Sequence, residues 1–171
     1  VAGMLVASAA ISMWVSNTAT ALMMLPIALS ITSLAPPTQD GRVSPEWRAF
    51  STALLLSVAY GATTGGMGTL IGTPPNALLA AYVEKTYGFR IGFGQWMLLG
   101  VPVVLVTLPV VWLLLTRVCF RLGRESIGGL GGLIASERAR LGPVSRGETS
   151  VAIVFVLTAS CWAAQPWLVK I

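Results

Sequence analysis

Histidine is absent from this 171-residue chain, and charged side chains are scarce. Only 10% of the residues are charged, whereas about 25% are charged in an average soluble domain. With 55% hydrophobic residues and a mean hydropathy of +0.80, the composition is typical of an integral membrane protein. The lack of histidine removes from this chain the commonest general base, proton shuttle and metal ligand.

Cysteine is also rare, and the net charge of +5 is modest. Cys119 and Cys161 are the two cysteines, and neither lies in a CxxC or Cys/His ligand spacing. We expect both to be small buried apolar residues rather than a disulfide pair. The arginines flank apolar segments without an aromatic stacking pattern, which argues against nucleic-acid binding.

Four runs contain no charged residue: 1–39, 50–83, 91–116 and 149–169. A helix needs about 20 apolar residues to cross a bilayer, so residues 96–116 and 149–169 each fit one full transmembrane helix. The first two runs are instead interrupted by polar residues or by glycine and proline. Because the chain begins at Val1 without an initiator methionine or charged leader, we expect further sequence upstream.

The first run is interrupted by Ser16-Asn17-Thr18. The apolar arm on each side is about 15 residues long, which is too short for a ~30 Å hydrocarbon core. This pattern predicts a re-entrant helical hairpin over residues 1–35 with its polar tip at mid-membrane. The alternative is a single tilted helix that kinks at Pro26 and uses the serine and asparagine to bond a neighbouring helix.

The second run is interrupted by the glycine-rich string from Gly65 to Asn76, which contains Gly72-Thr73-Pro74-Pro75. Proline lacks an N–H donor and clashes with the preceding helical turn, and glycine favours open backbone. The string therefore predicts a discontinuous transmembrane helix over residues 49–82.

The remaining segments follow from the charge pattern. Arginines cluster between the last two spans, so the positive-inside rule places that segment in the cytoplasm; they are Arg117, Arg121, Arg124, Arg138, Arg140 and Arg146. The full division is a cytoplasmic linker at 36–48, an external loop at 83–94, a span at 95–117, a basic cytoplasmic segment at 118–148 and a span at 149–171. Within the basic segment, residues 126–139 are predicted to form an amphipathic surface helix.

Broken backbone at membrane depth is tolerated only where it is buried in protein or lines a watery cavity. Half-helix N-termini suit an anion there, and unwound carbonyls and hydroxyls suit a hard monovalent cation. Neither broken run contains a fixed positive charge, so the charge of a bound dianion would be offset by helix ends and co-bound cations. Since neither run contains a carboxylate or histidine, proton coupling is disfavoured.

At these residues the chain resembles the divalent anion/sodium symporters, a family that includes dicarboxylate, citrate and sulfate carriers. The resemblance lies in the segment from Ile11 to Thr20, the following Met23-Met24-Leu25-Pro26 and the string from Gly65 to Asn76. It implies an all-α, inverted-repeat, elevator-type transporter of the inner (plasma) membrane that works as a multi-pass homodimer. This chain would be mainly the first repeat.

The resemblance also implies site residues. Sodium ligands would be Ser12, Ser16, Asn17 and Gly72, with Ser12 contributing a backbone oxygen. Substrate contacts would be Asn17, Thr18 and Thr73. A second Ser-Asn-Thr does not occur in the chain, so the second sodium site and half of the substrate shell would lie outside it, and we do not expect this fragment to transport alone.

The two other functions to consider are a membrane enzyme and a non-transporting membrane subunit. A membrane enzyme could use the glycine-rich string to hold a phosphate, but the string lacks the Gly-Lys-Ser/Thr of a P-loop and the βαβ context of a dinucleotide site. A non-transporting membrane subunit, whose polar tips only pack helices, remains the alternative to a sodium-coupled anion symporter.

Overall fold

The structure is a computed structural model that describes residues 1–34, 43–122 and 144–168. All regular secondary structure in these ranges is helical, which confirms the all-α prediction. The helices are α1 (Ala2–Ser12), α2 (Asn17–Thr32), α3 (Pro45–Gly66), α4 (Pro74–Tyr87), α5 (Phe93–Leu113, continued by a π-helical segment Leu114–Cys119) and α6 (Arg146–Leu168).

The chain divides into two compact units, Val1–Leu122 and Gly123–Ile171. In the second unit, α6 starts with a capping box. The backbone N–H of Ser145 donates to Oε2 of Glu148 at 2.7 Å, and the N–H of Glu148 donates to Oγ of Ser145 at 3.2 Å. These bonds favour the carboxylate and lower the pKa of Glu148.

In the first unit, α1 and α2 are separated by a short turn, Met13–Ser16. The helix restarts after the turn because Ser16 has extended backbone (φ −57°, ψ 148°) and its side chain caps α2. With 11 residues in α1 and 16 in α2, the arms are roughly 16 Å and 24 Å long at 1.5 Å per residue. Each arm is thus shorter than a bilayer core of ~30 Å.

α1 lies parallel to α3, and glycines allow their backbones to approach closely. A Cβ placed on Gly61 would be 2.5 Å from the carbonyl oxygen of Leu5, and one on Gly65 would overlap the backbone of Ala9. The contacts therefore move from Leu5 to Ala9 in α1 as they move from Gly61 to Gly65 in α3, so the two helices run in the same direction.

α2 runs antiparallel to α3. Its first residue, Asn17, lies at Gly66 at the end of α3. At its other end, Nε1 of Trp47 near the start of α3 donates to the carbonyl of Thr32 at 3.0 Å. Since α1 is parallel to α3, the two arms form an antiparallel helical hairpin packed along one helix.

The apolar core of this unit joins α2 to α3. Met24 and Ala28 of α2 pack with Leu54 and Val58 of α3. Partly buried residues of all three helices surround them: Val1, Met4, Ala7, Ile11, Ala21, Ile31, Phe50 and Leu55.

Between α3 and α4 the backbone leaves the helical path over residues 67–73, at the predicted interruption. α4 restarts with Pro74 and Pro75 in its first two positions, where a missing N–H removes no intrahelical bond. It ends at Gly88, whose φ of 67° lies in the left-handed region that glycine tolerates.

Among the described residues, one helix is long and apolar enough to cross a membrane, the 27-residue Phe93–Cys119. It corresponds to the predicted span at 95–117. The predicted span at 149–171 is helical as far as Leu168, and its membrane crossing stays a prediction.

Two expectations from the sequence have other outcomes. Cys119 and Cys161 are exposed, so the expectation that they are buried is wrong. The predicted amphipathic helix at 126–139 lies outside the described residues, as does most of the linker at 36–48.

Candidate functional site

The hairpin turn presents the N-terminus of α2. Oγ of Ser16 accepts a hydrogen bond from the N–H of Ala19 at 3.3 Å. Asn17 and Thr18 occupy the first two helical positions, whose N–H groups have no partner within a helix. The end of α2 therefore offers backbone donors and the positive end of a helix dipole to an anion.

Asn17 is held from two sides. Oγ of Ser12, which is 0% exposed, donates to Oδ1 of Asn17 at 2.7 Å. The same oxygen faces the backbone of Gly66, because a Cβ on Gly66 would overlap it. A neutral hydroxyl oxygen and a neutral amide oxygen are thus brought together at the C-terminal end of α3.

The break between α3 and α4, residues 67–73, is folded by side chains that reach its carbonyls. Nδ2 of Asn76 donates to the carbonyl of Gly66 at 2.8 Å and to that of Thr69 at 2.7 Å. Nε1 of Trp96 in α5 donates to the carbonyl of Met67 at 3.0 Å. These bonds give side-chain donors to backbone carbonyls at the interruption of the helix.

Thr69 connects the break to the hairpin turn. Its hydroxyl donates a short hydrogen bond to the carbonyl of Met13, 56 residues earlier in the chain. It also accepts from the N–H of Gly72 at 3.1 Å. With Thr69 fully buried (0% exposed), this single hydroxyl ties the two interruptions into one structure.

α5 supports the same place. A Cβ on Gly100 would lie 2.8 Å from the carbonyl oxygen of Met67, so only glycine fits there without a shift. The rings of Trp14 in the turn and Phe93 at the start of α5 lie with their centroids 6.3 Å apart. The site is therefore also backed by α5.

The structure brings some of the predicted site residues together. Ser12 and Asn17 are hydrogen-bonded, and Gly72 packs against the backbone of Gly66, since a Cβ on Gly72 would be 2.9 Å from the Cα of Gly66. Thr18 is exposed at the start of α2. Thr73 is half-buried at the start of α4 and makes no side-chain capping bond. Within the described ranges, no hydrogen bond joins Thr18 or Thr73 to the other predicted site residues.

The available ligands are neutral. The side-chain oxygens of Ser16 and Asn17 retain lone pairs beyond the bonds described, so with the backbone oxygen of Ser12 they could still coordinate a cation. Hard monovalent cations accept such neutral oxygen ligands. In the parts of the chain that the structure describes, no group of three or more His, Cys, Asp or Glu side chains could hold a metal ion.

The start of α4 differs from the start of α2 in what it can offer an anion. Pro74 and Pro75 have no N–H, and the N–H of Asn76 donates to the carbonyl of Thr73 at 3.1 Å. α4 therefore contributes its dipole and the Thr73 hydroxyl, whereas free backbone donors come from α2.

Sequence reasoning missed the roles of Thr69, Asn76 and Trp96. Asn76 ends the glycine-rich string, and no role was predicted for it. Its amide directly after two prolines could have indicated one. Thr69 was a hydroxyl within a glycine-rich string. Their partners could not be read from spacing because the bonds join distant backbone carbonyls.

Residues 1–171 match a protein-family model described as citrate transporter. The chain is 37% identical over 169 residues to the sodium-dependent dicarboxylate transporter SdcS of Staphylococcus saprophyticus. It is also 37% identical over 169 residues to the protein of the same name from Staphylococcus aureus strain USA300. The alignments cover 98% of this chain but 33% and 32% of the relatives, so the chain spans about a third of their length.

Proposed function

This chain belongs to the citrate transporter family, and from that membership we propose that it forms half of the binding site of a sodium-coupled symporter for divalent anions. The family resemblance inferred from the two motifs is confirmed by the family match and by the similarity to the two staphylococcal proteins. The chain is accordingly part of a membrane transporter and not of an enzyme.

The proposed sodium ligands are Ser12, Ser16, Asn17 and the backbone of Gly72. The observation that most supports them is the pair of hydrogen bonds made by the Thr69 hydroxyl, to the carbonyl of Met13 and from the N–H of Gly72. They tie the break that contains Gly72 to the Ser-Asn-Thr turn. A cation between the two would meet hydroxyl, amide and backbone oxygens without a fixed negative charge.

The proposed anion contacts are Asn17, Thr18 and Thr73. The N–H groups at the start of α2 and the hydroxyl of Thr73 would donate to a carboxylate, and the two helix ends would add partial positive charge. Since no arginine or lysine occurs in residues 1–39 or 50–83, a sodium ion bound beside the dianion would offset much of its charge. Coupling of anion uptake to sodium follows from this arrangement.

The relatives are named as dicarboxylate transporters, and we propose a dicarboxylate such as succinate as the first substrate to test, with citrate and sulfate next. In the whole protein the helical hairpin would be re-entrant in the plasma membrane. A second, inverted repeat would complete the site, and two subunits would form an elevator-type dimer.

Uptake by the full-length protein that contains this chain tests the proposal. We expect proteoliposomes to accumulate radiolabelled succinate under an inward sodium gradient and to lose that uptake when choline replaces sodium. Liposomes without protein provide the background.

Each other outcome has a defined meaning. Full uptake without sodium contradicts the coupling. No uptake of succinate, citrate or sulfate by correctly inserted protein favours the alternative, a non-transporting subunit in which the polar turns only pack helices.

A further inference from the structure

The polar side chains that fold the break are distinct from the proposed ligands. Thr69 is 0% exposed and Asn76 is 7% exposed, and all their described hydrogen bonds are to backbone groups. Neither side chain carries a charge. Both are buried in an otherwise apolar chain, where an unbonded polar group is costly.

Each of these residues makes more than one bond, and each bond fixes a different part of the site. Asn76 links the last carbonyl of α3, at Gly66, to the carbonyl of Thr69, so α4 is held against the end of α3. Thr69 fixes the N–H of Gly72 and reaches the hairpin turn at Met13. Gly66 in turn contacts Oδ1 of Asn17. The chain of contacts runs from Asn76 through the break to the proposed ligands.

We propose that Thr69 and Asn76 are positioning residues for sodium: they hold the break at residues 67–73 against the Ser16-Asn17 turn in the geometry that the ion requires, without touching it. This inference rests on the proposed function. It assigns a specific task to two residues outside the predicted ligand set. Of the two residues, Thr69 gives the sharper test, because its hydroxyl joins both interruptions. It donates to the carbonyl of Met13 in the hairpin turn and accepts from the N–H of Gly72 in the break.

Removing the Thr69 hydroxyl should weaken sodium binding more than anion binding. In Thr69→Val, which keeps the shape, the carbonyl of Met13 loses this donor, and the N–H of Gly72 retains its longer bond to the carbonyl of Thr69, at 3.4 Å. Partners that orient a metal ligand typically change ion affinity by about 10- to 100-fold. We expect the half-saturating sodium concentration for succinate uptake to rise by about tenfold or more, with KM for succinate at saturating sodium unchanged.

Matched variants separate positioning from general damage. Thr69→Ser keeps a hydroxyl that can both donate and accept, and it should retain the wild-type sodium dependence. Asn76→Ala should weaken sodium in the same direction as Thr69→Val. Thr107→Val removes a hydroxyl that only bonds the carbonyl of Val103 within α5, at 2.7 Å, and should leave the sodium dependence unchanged.

The experiment measures initial uptake rates in the full-length protein against sodium concentration, per amount of protein in the membrane. If Thr69→Val reaches the membrane poorly, Thr69→Cys, with its weaker S–H donor, takes its place with a smaller expected shift. An unchanged sodium half-saturation in either variant overturns the inference. Loss of both variants from the membrane, with Thr107→Val inserted normally, assigns Thr69 to folding and also overturns it.

The two proposals fail in different ways. If wild-type uptake does not depend on sodium, the proposed function is wrong. If wild-type uptake depends on sodium but the Thr69 variants keep the wild-type sodium curve, only the positioning assignment is wrong.

Discussion

At the scale of single residues, Asn17 has the most demanding position. Its Oδ1 accepts from the buried hydroxyl of Ser12 and faces the backbone of Gly66, while its own N–H opens the first turn of α2. In the proposed site the same residue serves both sodium and the anion. Different substitutions of its side chain should therefore affect sodium binding and anion binding differently.

Asn17→Ala is expected to abolish sodium-dependent uptake, because it removes the amide oxygen and leaves Ser12 Oγ without its acceptor. Asn17→Asp keeps an oxygen ligand but adds a negative charge, so we expect sodium still to raise the Tm of the purified protein while anion uptake is lost. Ser33→Ala is the control, since that hydroxyl bonds the carbonyl of Ser30 at the far end of α2. Normal uptake in well-expressed Asn17→Ala would show that the site is elsewhere.

The structure assigns finer roles at the helix ends than the sequence predicted. Ser16 caps a helix, and Pro74 and Pro75 begin one, in agreement with local rules, although all three were predicted only as parts of interruptions. The bond from Thr69 to Met13 spans 56 residues, and its existence depends on how three helices pack. No local rule relates two positions so far apart.

At the scale of helices, the packing of α1 on α3 depends on small residues. Gly61 and Gly65 bring the backbone of α3 against Leu5 and Ala9. Interfaces of this kind gain van der Waals contact and lose it when a side chain separates the backbones. The hairpin arm that carries Ser12 is fixed to α3 by this contact.

Gly65→Ala should destabilise the protein, because even one methyl group would overlap the backbone of Ala9. Overpacking of this kind costs about 1–3 kcal/mol, so we expect a lower Tm in detergent and reduced uptake. Gly3→Ala is the matched control within the same helix pair, since a Cβ there meets nothing within 4 Å. Equal Tm values for the two variants would contradict the close packing of α1 on α3.

The approximate positions of the helix breaks could be predicted, but the way in which the two hairpin arms pack on α3 could not. Polar residues at 16–18 and the glycine and proline string at 65–76 predicted interruptions, and the helices break close to these positions, at residues 13–16 and 67–73. The antiparallel arrangement on α3 rests on contacts such as Trp47 to Thr32 and Gly66 to Asn17, which join different helices.

At the scale of the whole molecule, the chain is proposed to form one part of a larger site. It spans about a third of the relatives it matches, and many apolar side chains of its helices are exposed in the described residues, including Leu78 in α4 and Leu98 in α5. Composition predicted a membrane protein correctly because burial in lipid leaves a strong average signal. In the proposed site the other part would share in substrate choice, so the substrate could not be predicted from this chain.

Membrane orientation gives the last prediction. The helix Phe93–Cys119 has 27 residues, so it is roughly 40 Å long and its ends should lie on opposite sides of the bilayer. The positive-inside rule places the end at Cys119, next to Arg117 and Arg121, in the cytoplasm. Lys85, near the other end, should then face outward.

Both positions are exposed, which makes them suitable for labelling. In a cysteine-free background of the full-length protein, a membrane-impermeant maleimide should label Lys85→Cys in intact cells. Cys119, restored alone, should be labelled only after the membrane is permeabilised. Because the two sites bracket one helix, labelling of both from the same side would show that Phe93–Cys119 does not cross the membrane, and the reverse pattern would invert the orientation predicted from the arginines.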